Sequence, residues 1–565
     1  MKIASTKSLN LTCILIVFFT QILLAYHLQN FSFLSDGKIR YLPILLSTFP
    51  ALLLFITLRF IAPLLASTII TTSLLIVLSI ANNIKISLTN EPLSWSDVSS
   101  TANVSVISHY LSPTHIIILT TFILVLVIAW IVNPQEKCSK RTSGLRLAAF
   151  ILLATTTFNP YADMLDKRVG LYISGAAENL GISYISWDWP LNIERNGLPL
   201  HLVQTSRRRV PPAPSPSQIA EFEKLVSYPT TTSKRAETII FILCEACWHD
   251  EKHFKQPFEK LTTLGFQEAR VISPVYGGST VNATFELLTG LPANGALNGV
   301  IYQEYADIIS KSAHTLPRYL KKQGYQTTEA HNHGRRFWRR DIVSSKLGFD
   351  EFIGLEDMGH TISVFWADDA ILFDHALNIL KKNTGPQFLF LTTVSTHGPY
   401  FFDGDYGERN YADKLSIAMD RISRFITQVD EILDDTMIVI VGDHKPALNK
   451  YFFEEKVLPR DQFESIGSKN EDFSFATNSS QEIRGDVPSY VRLPTRIAST
   501  RLAEQIHGKP FFCLSQILND ETLKLPVPAF VFSQKNNICE NYKTGDYEKT
   551  ISMYPDWLYS ISILK

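Results

Sequence analysis

Hydrophobic residues divide this sequence into an apolar first part and an alternating second part. Up to about residue 158 they form five blocks with almost no charge inside, at 11–28, 42–58, 63–84, 116–132 and 145–158. Each block is close to the roughly 20 residues that an α-helix needs to cross a bilayer, although the last is short. The pattern therefore predicts a transmembrane domain of five helices over residues 1–158.

Basic residues between the blocks predict the orientation of these helices. Lys2 and Lys7 precede the first block, Arg59 follows the second, and four basic residues lie between positions 137 and 146. With five crossings these segments share one side, and positively charged loops face the cytoplasm. Everything after residue 158 then lies outside a bacterial inner membrane. No convincing small-residue cleavage site follows the first block, which favours an uncleaved anchor over a signal peptide.

The second part of the chain has the pattern of an α/β domain. A juncture at 159–234 contains a proline-rich linker at 211–216, which is semi-rigid by composition. Beyond it, apolar runs of strand length alternate with helical patterns; the runs are at 238–243, 325–330, 387–394 and 438–441, and the helical patterns at 281–288, 314–324 and 411–433. Strands separated by helices predict a mainly parallel sheet with helices on both faces, in a catalytic domain over residues 235–565.

Composition narrows the function classes only a little. The formal net charge of −1 gives no general case for nucleic acid as a partner, and 565 residues exceed one ordinary domain. Among the six cysteines, Cys513 and Cys539 could pair in an oxidising periplasm, which spacing alone does not decide. Cys244 and Cys247 form a Cys-x-x-Cys pair around Glu245, for which a thiol zinc site or a redox pair is an alternative interpretation.

Chemistry-bearing residues recur where predicted strands end. Glu245 follows the run at 238–243, and Asp443 and His444 follow the run at 438–441. The carboxyl edge of a parallel sheet is where open α/β folds bind ligands. Two carboxylates and an imidazole, with Thr280 as a fourth ligand, form a set suited to one divalent ion, Zn or Mn, with Mg as a third candidate.

Thr280 itself has two interpretations. It follows Gly277 and Gly278, which allow a tight turn, and it precedes a helical run, so it has the pattern of a helix N-cap. The functional interpretation is a nucleophile at a helix N-terminus, where free backbone N–H groups hold a phosphoryl oxygen. A threonine hydroxyl is a weak nucleophile unless its pKa is lowered, so this interpretation requires the metal.

Five motifs carry a resemblance to a known family. They are Glu245 after the first strand, Gly-Gly-x-Thr-x(4)-Phe-Glu-x-Leu-Thr-Gly-Leu-Pro at 277–292, Phe-Trp-x-Arg-Asp at 337–341, Thr-His-Gly-Pro at 396–399 and Gly-Asp-His-x-Pro at 442–446. Together they resemble the lipoteichoic acid synthase group of the alkaline phosphatase and sulfatase superfamily. This group stands beside the phosphoglycerol transferases of periplasmic glucans and the phosphoethanolamine transferases of lipid A. The resemblance covers about 237–448, and the membrane region in layout.

The resemblance implies a sulfatase-like fold and roles for further residues. It implies that His397 faces the phosphate and hydrogen-bonds or protonates the departing oxygen. It places substrate contacts at Trp338 and Arg340, since a guanidinium fork suits phosphate and an indole gives an apolar wall for glycerol. His333 is a weaker substrate-binding candidate, as is its neighbour His331. The Cys-x-Pro-x-Arg setting of true sulfatases is absent, so sulfate ester hydrolysis is not expected.

These residues lead us to expect a membrane-anchored, metal-dependent phosphoglycerol transferase. Thr280 would take the headgroup of a phospholipid donor, phosphatidylglycerol, and pass it to a cell-envelope glycan or glycolipid. The nearest alternative is a phosphoethanolamine transferase that uses phosphatidylethanolamine and acts on lipid A or another envelope glycan. An alternative of a different class is a non-catalytic envelope sensor that binds lipid. Intact Thr280, Glu245, Asp443 and His444 argue against the sensor.

Overall fold

The computed structural model describes residues 2–99, 140–162, 182–228 and 236–564, apart from internal gaps of at most four residues, and a few positions between 124 and 131. The chain forms two compact units, Met1–Arg208 and Arg209–Lys565. The three-part division predicted from the sequence, with boundaries at 158 and 234, stays a prediction. Each unit is described by itself.

The first unit is helical, with one short hairpin. Its helices are α1 Lys2–Leu28, α2 Tyr41–Ser47, α3 Phe49–Leu58, α4 Leu64–Thr89, α5 Trp95–Ser99, α6 Lys140–Ala162, α7 Trp189–Asn196 and α8 Leu198–Thr205. Its two strands are β1 Leu34–Ser35 and β2 Lys38–Ile39, paired antiparallel. Side chains of α1 pack against α3 and α4 in an apolar core that includes Val17, Phe55 and Leu75.

The described residues contain two helices that are long and apolar enough to cross a membrane, where five were predicted. They are Leu11–Leu28 and Leu64–Ile86. The second predicted block is divided between α2 and α3, and the apolar stretch of α6 covers only Ser143–Ala154. The fourth block, 116–132, lies almost entirely outside the described residues.

The second unit is built on one eight-stranded sheet. Its strands are β3 Thr238–Cys244, β4 Gln267–Ile272, β5 Gln326–His331, β6 Glu351–Ile353, β7 Gln387–Thr392, β8 Thr436–Gly442, β11 Asp486–Arg492 and β12 Lys509–Pro510. The order across the sheet is β12-β4-β11-β8-β3-β7-β5-β6, and β11 runs antiparallel to both of its neighbours. The other pairings are parallel, which confirms the mainly parallel sheet. A separate hairpin pairs β9 Phe463–Ser465 with β10 Phe473–Phe475.

Helices accompany the strands in the alternation that the sequence predicts. They are α9 Pro216–Val226, α10 Glu259–Thr263, α11 Thr280–Thr289, α12 Ile301–Tyr305, α13 Leu316–Lys322, α14 Arg340–Leu347, α15 Asp369–Lys382, α16 Glu408–Asp430, α17 Asn449–Glu454, α18 Gln481–Gly485, α19 Arg496–Ile506, α20 Phe511–Leu518, α21 Pro528–Lys535, α22 Tyr547–Ile551 and α23 Asp556–Ser562. One apolar core joins the sheet to these helices.

The central strands place the polar strand ends at one edge. Every residue of β3, β7 and β8 is buried, as is typical of parallel strands covered on both faces. Because β3 pairs in parallel with both β7 and β8, the residues after these three strands leave the sheet side by side. At this edge a Cβ atom on Gly442 would lie 2.0 Å from the carbonyl oxygen of Cys247, so only glycine fits there.

The four cysteines of the second unit form two disulfide bonds. Cys513 pairs with Cys539 in the C-terminal region. Cys244 pairs with Cys247 around the turn that follows β3. The Cys244–Cys247 bond leaves no thiolate there, so the alternative of a thiol zinc site at this pair is wrong.

Candidate active site

Three potential metal ligands meet at the carboxyl edge of the sheet. Glu245 directly follows β3, and Asp443 and His444 directly follow β8. Their ligand atoms lie within 4.8 Å of one another, and all three side chains are buried. The adjacency of β3 and β8 therefore brings together residues that are about two hundred positions apart in the chain.

Thr280 joins this group through its hydroxyl. The turn before it uses left-handed conformations at Gly277 (φ 64°) and Ser279 (φ 64°). Thr280 is the first residue of α11, and its Oγ1 lies 2.6 Å from Oδ2 of Asp443 and 3.1 Å from Oε2 of Glu245. Ser279 holds the N-cap position and its side chain makes no capping bond, so the N-cap interpretation of Thr280 is wrong. The hydroxyl instead donates its proton toward a carboxylate.

The His444 ring is held with a lone pair directed at the two carboxylates. Its Nδ1 donates to the carbonyl oxygen of Lys445 at 2.8 Å, so a neutral ring carries its lone pair on Nε2. Nε2 lies 3.4 Å from Oε1 of Glu245 and 3.3 Å from Oδ2 of Asp443. It nevertheless makes no hydrogen bond within the described part of the chain. The lone pair on Nε2 and the carboxylate oxygens repel one another, but a cation between them could bind all of these atoms. Histidines that bind metals usually donate from their second nitrogen to a carbonyl or carboxylate, as Nδ1 of His444 does here.

Electrostatics at the edge also favour a bound cation. Burial, followed by the neighbouring Asp443 carboxylate, raises the pKa of Glu245 to about 8, against the opposing effects of His444 and Thr280. Oδ1 of Asp443 accepts from the backbone N–H groups of Ala246 (2.7 Å) and His444 (2.8 Å), which fixes this carboxylate. Two buried carboxylates this close need a cation if both are to be charged. Two carboxylates, an imidazole and a hydroxyl fit one Zn²⁺ or Mn²⁺ ion.

His397 lies after the neighbouring strand β7 and presents one nitrogen for chemistry. Its Nδ1 donates to the carbonyl oxygen of Gly398 at 2.6 Å, which leaves Nε2 as the atom that can exchange a proton. The Lys414 ammonium donates to the backbone carbonyl of His397 at 2.7 Å and holds the loop. Burial lowers the pKa of His397, although the Gly398 carbonyl and the Asp443 charge act in the opposite direction.

His331 and His333 lie beside each other at the end of β5. His331 is buried, donates from Nδ1 to the carbonyl oxygen of Thr392 at 3.0 Å, and has no partner for Nε2 among the described residues. The His333 ring packs against Phe337, with centroids 4.4 Å apart. Burial lowers the pKa of His331 well below its ordinary value and that of His333 to about 4, so both rings are neutral at pH 7. The sequence interpretation ranked both histidines as weaker candidates, and their roles as substrate contacts stay predictions.

The structure places Arg340 in a buried ion pair. Its Nη1 donates to Oε1 of Glu329 at 2.8 Å, and both side chains are fully buried. The preceding residues Trp338 and Arg339 adopt left-handed conformations (φ 58° and 56°), which direct the chain sharply into α14. Nε and Nη2 of Arg340 have no hydrogen-bond partner in the described segments. The roles of Trp338 and Arg340 as substrate contacts stay predictions.

Asp369, at the start of α15, is a site-supporting residue that the sequence interpretation missed. This buried carboxylate accepts from Nδ2 of Asn332 at 3.0 Å and from the N–H of Val394 at 2.9 Å, and it also accepts from the Ser395 hydroxyl. It therefore ties the loop of His331 and His333 to the loop of His397. Its sequence signal, an acidic residue before an apolar helical run, is the same as that of any helix start.

Comparison with known proteins defines the class. Residues 237–481 match the family model described as Sulfatase, so the chain carries a sulfatase-family domain of the alkaline phosphatase superfamily. The mainly parallel sheet agrees with the fold of that superfamily.

The similar proteins include two curated relatives and one solved structure. The chain is 26% identical over 354 residues to the "Putative cyclic beta-1,2-glucan modification protein" of Rhizobium meliloti (strain 1021), covering 58% of this chain and 53% of that protein. It is 23% identical over 210 residues to the lipoteichoic acid synthase-like YvgJ of Bacillus subtilis, covering 33% of each. The solved phosphoglycerol transferase GacH of Streptococcus pyogenes, in complex with sn-glycerol-1-phosphate, aligns with a TM-score of 0.44 and 16% identity, over 62% of this chain and 95% of that one. The alignments thus span about half and one third of the length of the curated relatives.

Proposed function

We propose that this protein is a membrane-anchored, metal-dependent phosphoglycerol transferase of the cell envelope. Residues 235–565 would carry catalysis, with Thr280 as the nucleophile. The observation that carries the proposal is the position of the Thr280 hydroxyl. It lies 2.6 Å from one carboxylate oxygen and 3.1 Å from another, inside a buried group that fits a divalent cation.

The cation would be held by Glu245, Asp443, His444 and the Thr280 oxygen. When bound, it supplies positive charge that lowers the pKa of the Thr280 hydroxyl and offsets charge on the transferred phosphoryl group. The chain adds the N-terminus of α11, whose first backbone N–H groups have no partner inside the helix and can bind a phosphoryl oxygen.

The reaction would have two halves. In the first, the Thr280 hydroxyl would release its proton toward the Asp443 carboxylate, its oxygen bonds to the phosphorus of the donor headgroup, and the bond from phosphorus to the diacylglycerol oxygen breaks; the proton returns when the Thr280 oxygen leaves in the second half. In the second, an acceptor hydroxyl bonds to the same phosphorus and the Thr280 oxygen leaves. Nε2 of His397 would give a proton to the departing diacylglycerol oxygen and later take one from the acceptor hydroxyl, because Nδ1 is committed to Gly398.

The apolar first unit supports a membrane location and a lipid donor. Two candidate spans support attachment to a membrane, and we propose the full five-helix, multi-pass arrangement in a bacterial inner membrane with the second unit outside. A phospholipid donor in the outer leaflet would then lie on the same side of the bilayer as the site. The acceptor would be an envelope glycan or glycolipid, in keeping with the glucan and lipoteichoic acid named for the curated relatives.

Donor identity separates the leading function from its nearest alternative. A phosphoethanolamine transferase would use the same Thr280 and the same ligands, with phosphatidylethanolamine as donor. Purified full-length protein should be incubated with phosphatidylglycerol or phosphatidylethanolamine, and the peptide containing Thr280 analysed by mass spectrometry. We expect a phosphoglycerol adduct on Thr280 and release of diacylglycerol. An adduct formed only from phosphatidylethanolamine would favour the alternative.

Thr280→Ala tests whether the threonine hydroxyl is the nucleophile. Thr284→Ala, one turn further along α11, is the matched control. Thr284 donates to the backbone carbonyl of Thr280 at 3.1 Å and lies outside the ligand set. We expect Thr280→Ala to abolish both adduct and diacylglycerol release, whereas Thr284→Ala should retain both. Full diacylglycerol release by the Thr280→Ala protein would contradict the proposal. Unaltered envelope modification in a Thr280→Ala strain would favour the non-catalytic sensor.

A further inference from the structure

Trp366 contacts His397 in two ways. The two rings lie 4.0 Å apart between centroids, tilted by 37°. The indole Nε1 also donates to the carbonyl oxygen of Gly398 at 2.9 Å, the same oxygen that accepts from Nδ1 of His397 at 2.6 Å. One carbonyl therefore fixes both rings, and the indole covers one face of the imidazole.

These contacts determine which way the imidazole presents its free nitrogen. A flip of the ring would lose the hydrogen bond from Nδ1 to Gly398, and the indole on one face restricts tilting of the imidazole out of its plane. Nε2 is therefore held in one direction, in the tautomer or the protonated form that the proposed proton transfers require.

Trp366 is itself fixed from the other side of the site. Its ring lies 5.2 Å from that of His333, which in turn packs on Phe337. Three residues later Asp369 accepts hydrogen bonds from both the β5 and the β7 loops. The indole is thus held between the two histidine-bearing loops by contacts that do not involve His397.

We propose that Trp366 is a positioning residue for the transfer reaction, which orients His397 so that Nε2 faces the phosphoryl group carried by Thr280. This proposal rests on the proposed function, since it assigns a supporting role in the same reaction. The role differs from a purely structural one because the effect of Trp366 on turnover is exerted through His397. Loss of Trp366 should therefore slow turnover only as long as His397 is present.

The test uses full-length protein, with diacylglycerol release from the donor as the rate. Trp366→Ala should lower kcat by about 10-fold to 100-fold, the scale expected for a misplaced catalytic group, and should leave KM nearly unchanged. Trp366→Phe keeps a ring on His397 but loses the N–H donor, so it should lose only about 5-fold. In a His397→Gln background, Trp366→Ala should add almost nothing, because both changes disable the same group.

Trp557→Ala is the matched control. Its indole is buried and packs edge-on against Phe532, with centroids 5.9 Å apart, away from the site residues. It should lower the melting temperature without the selective loss of kcat. A wild-type kcat in Trp366→Ala would overturn the proposal. So would additive losses in the double variant, which would show that Trp366 acts independently of His397. Full activity in Thr280→Ala would instead refute the proposed function.

Discussion

The two halves of the candidate site are built in different ways. The metal half, Glu245, Asp443 and His444 with Thr280, is positioned by strand register and by backbone hydrogen bonds at the sheet edge. The histidine half, His331, His333 and His397 with Trp366, is positioned by side chains that tie one loop to another. Secondary structure thus positions the candidate ligands, whereas the side to which we assign proton transfer and headgroup binding depends on tertiary contacts between loops.

The largest effect is expected in the metal half. His444→Gln removes the one nitrogen ligand, so we expect tight binding of a divalent ion to be lost and transfer to fall by about 1,000-fold or more. Metal content per chain, measured by mass spectrometry, and diacylglycerol release check this prediction. His375→Gln, on α15 outside both halves, should keep both properties. A His444→Gln protein with full metal content would remove this residue from the ligand set.

A smaller loss is expected when the histidine half loses its proton-transfer group. His397→Gln should lower kcat by about 100-fold or more, in the range reported for general acid–base groups, while metal content stays at the wild-type level. The separation of activity from metal content is what distinguishes the halves. Loss of the metal in His397→Gln would contradict that separation.

A still smaller loss is expected when the loops of the histidine half are held less firmly but His397 is kept. Asp369→Ala removes the acceptor shared by Asn332, Val394 and Ser395, so kcat should fall by about 10-fold as the loops move. Asp369→Asn keeps one acceptor oxygen and should lie between Asp369→Ala and the wild type. Asp374→Ala, exposed on the same helix, is the control. Equal activity of Asp369→Ala and Asp374→Ala would show that the loops after β5 and β7 keep their positions without Asp369.

The smallest effect on activity is expected at Glu286, a buried residue on the helix that carries Thr280. Burial raises its pKa to about 8, despite a hydrogen bond from the N–H of Ala293. The raised pKa means that its contribution to stability is full below about pH 4.5 and is lost as pH rises to about 8. Glu286→Gln cannot ionise, so relative to it the wild type should lose at most about 1.4 kcal/mol per pH unit in that window.

Melting temperatures of the two proteins across pH 5 to 9, with Glu259→Gln on the exposed surface of α10 as control, test this linkage. Activity at pH 7 should be nearly equal in all three. A difference between wild type and Glu286→Gln that does not change with pH would contradict the assignment of a raised pKa to Glu286.

The sequence predicted the metal half well, for a physical reason. Buried parallel strands are recognisable as short apolar runs, and residues that follow such strands meet at one edge. Glu245, Asp443 and His444 therefore came together as predicted. Thr280 was less certain, because a hydroxyl before a helix has the same pattern whether it caps the helix or faces a neighbouring side chain. Only the position of α11 against the sheet decides between the two.

The histidine half could not be predicted to the same extent. Trp366 and Asp369 lie outside any motif that the sequence interpretation used, and their contacts depend on how the β5 and β7 loops pack. The ion pair of Arg340 with the buried Glu329 was not predicted either, because it depends on how the chain packs after β5; the role of Arg340 as a substrate contact stays a prediction. The structure describes two candidate spans where five helices were predicted, because the second block is split, the fifth is short, and the fourth lies almost entirely outside the described residues.

The central claim is that Glu245, Thr280, Asp443 and His444 surround one divalent ion. The most direct test is an anomalous difference map from crystals of the full-length protein grown with Zn²⁺. We predict one strong peak at the carboxyl edge of the sheet, about 2.0–2.2 Å from the oxygen and nitrogen ligands, with Oγ1 of Thr280 among them. A map with no peak there, or with the Thr280 hydroxyl turned away from the ion, would contradict the account.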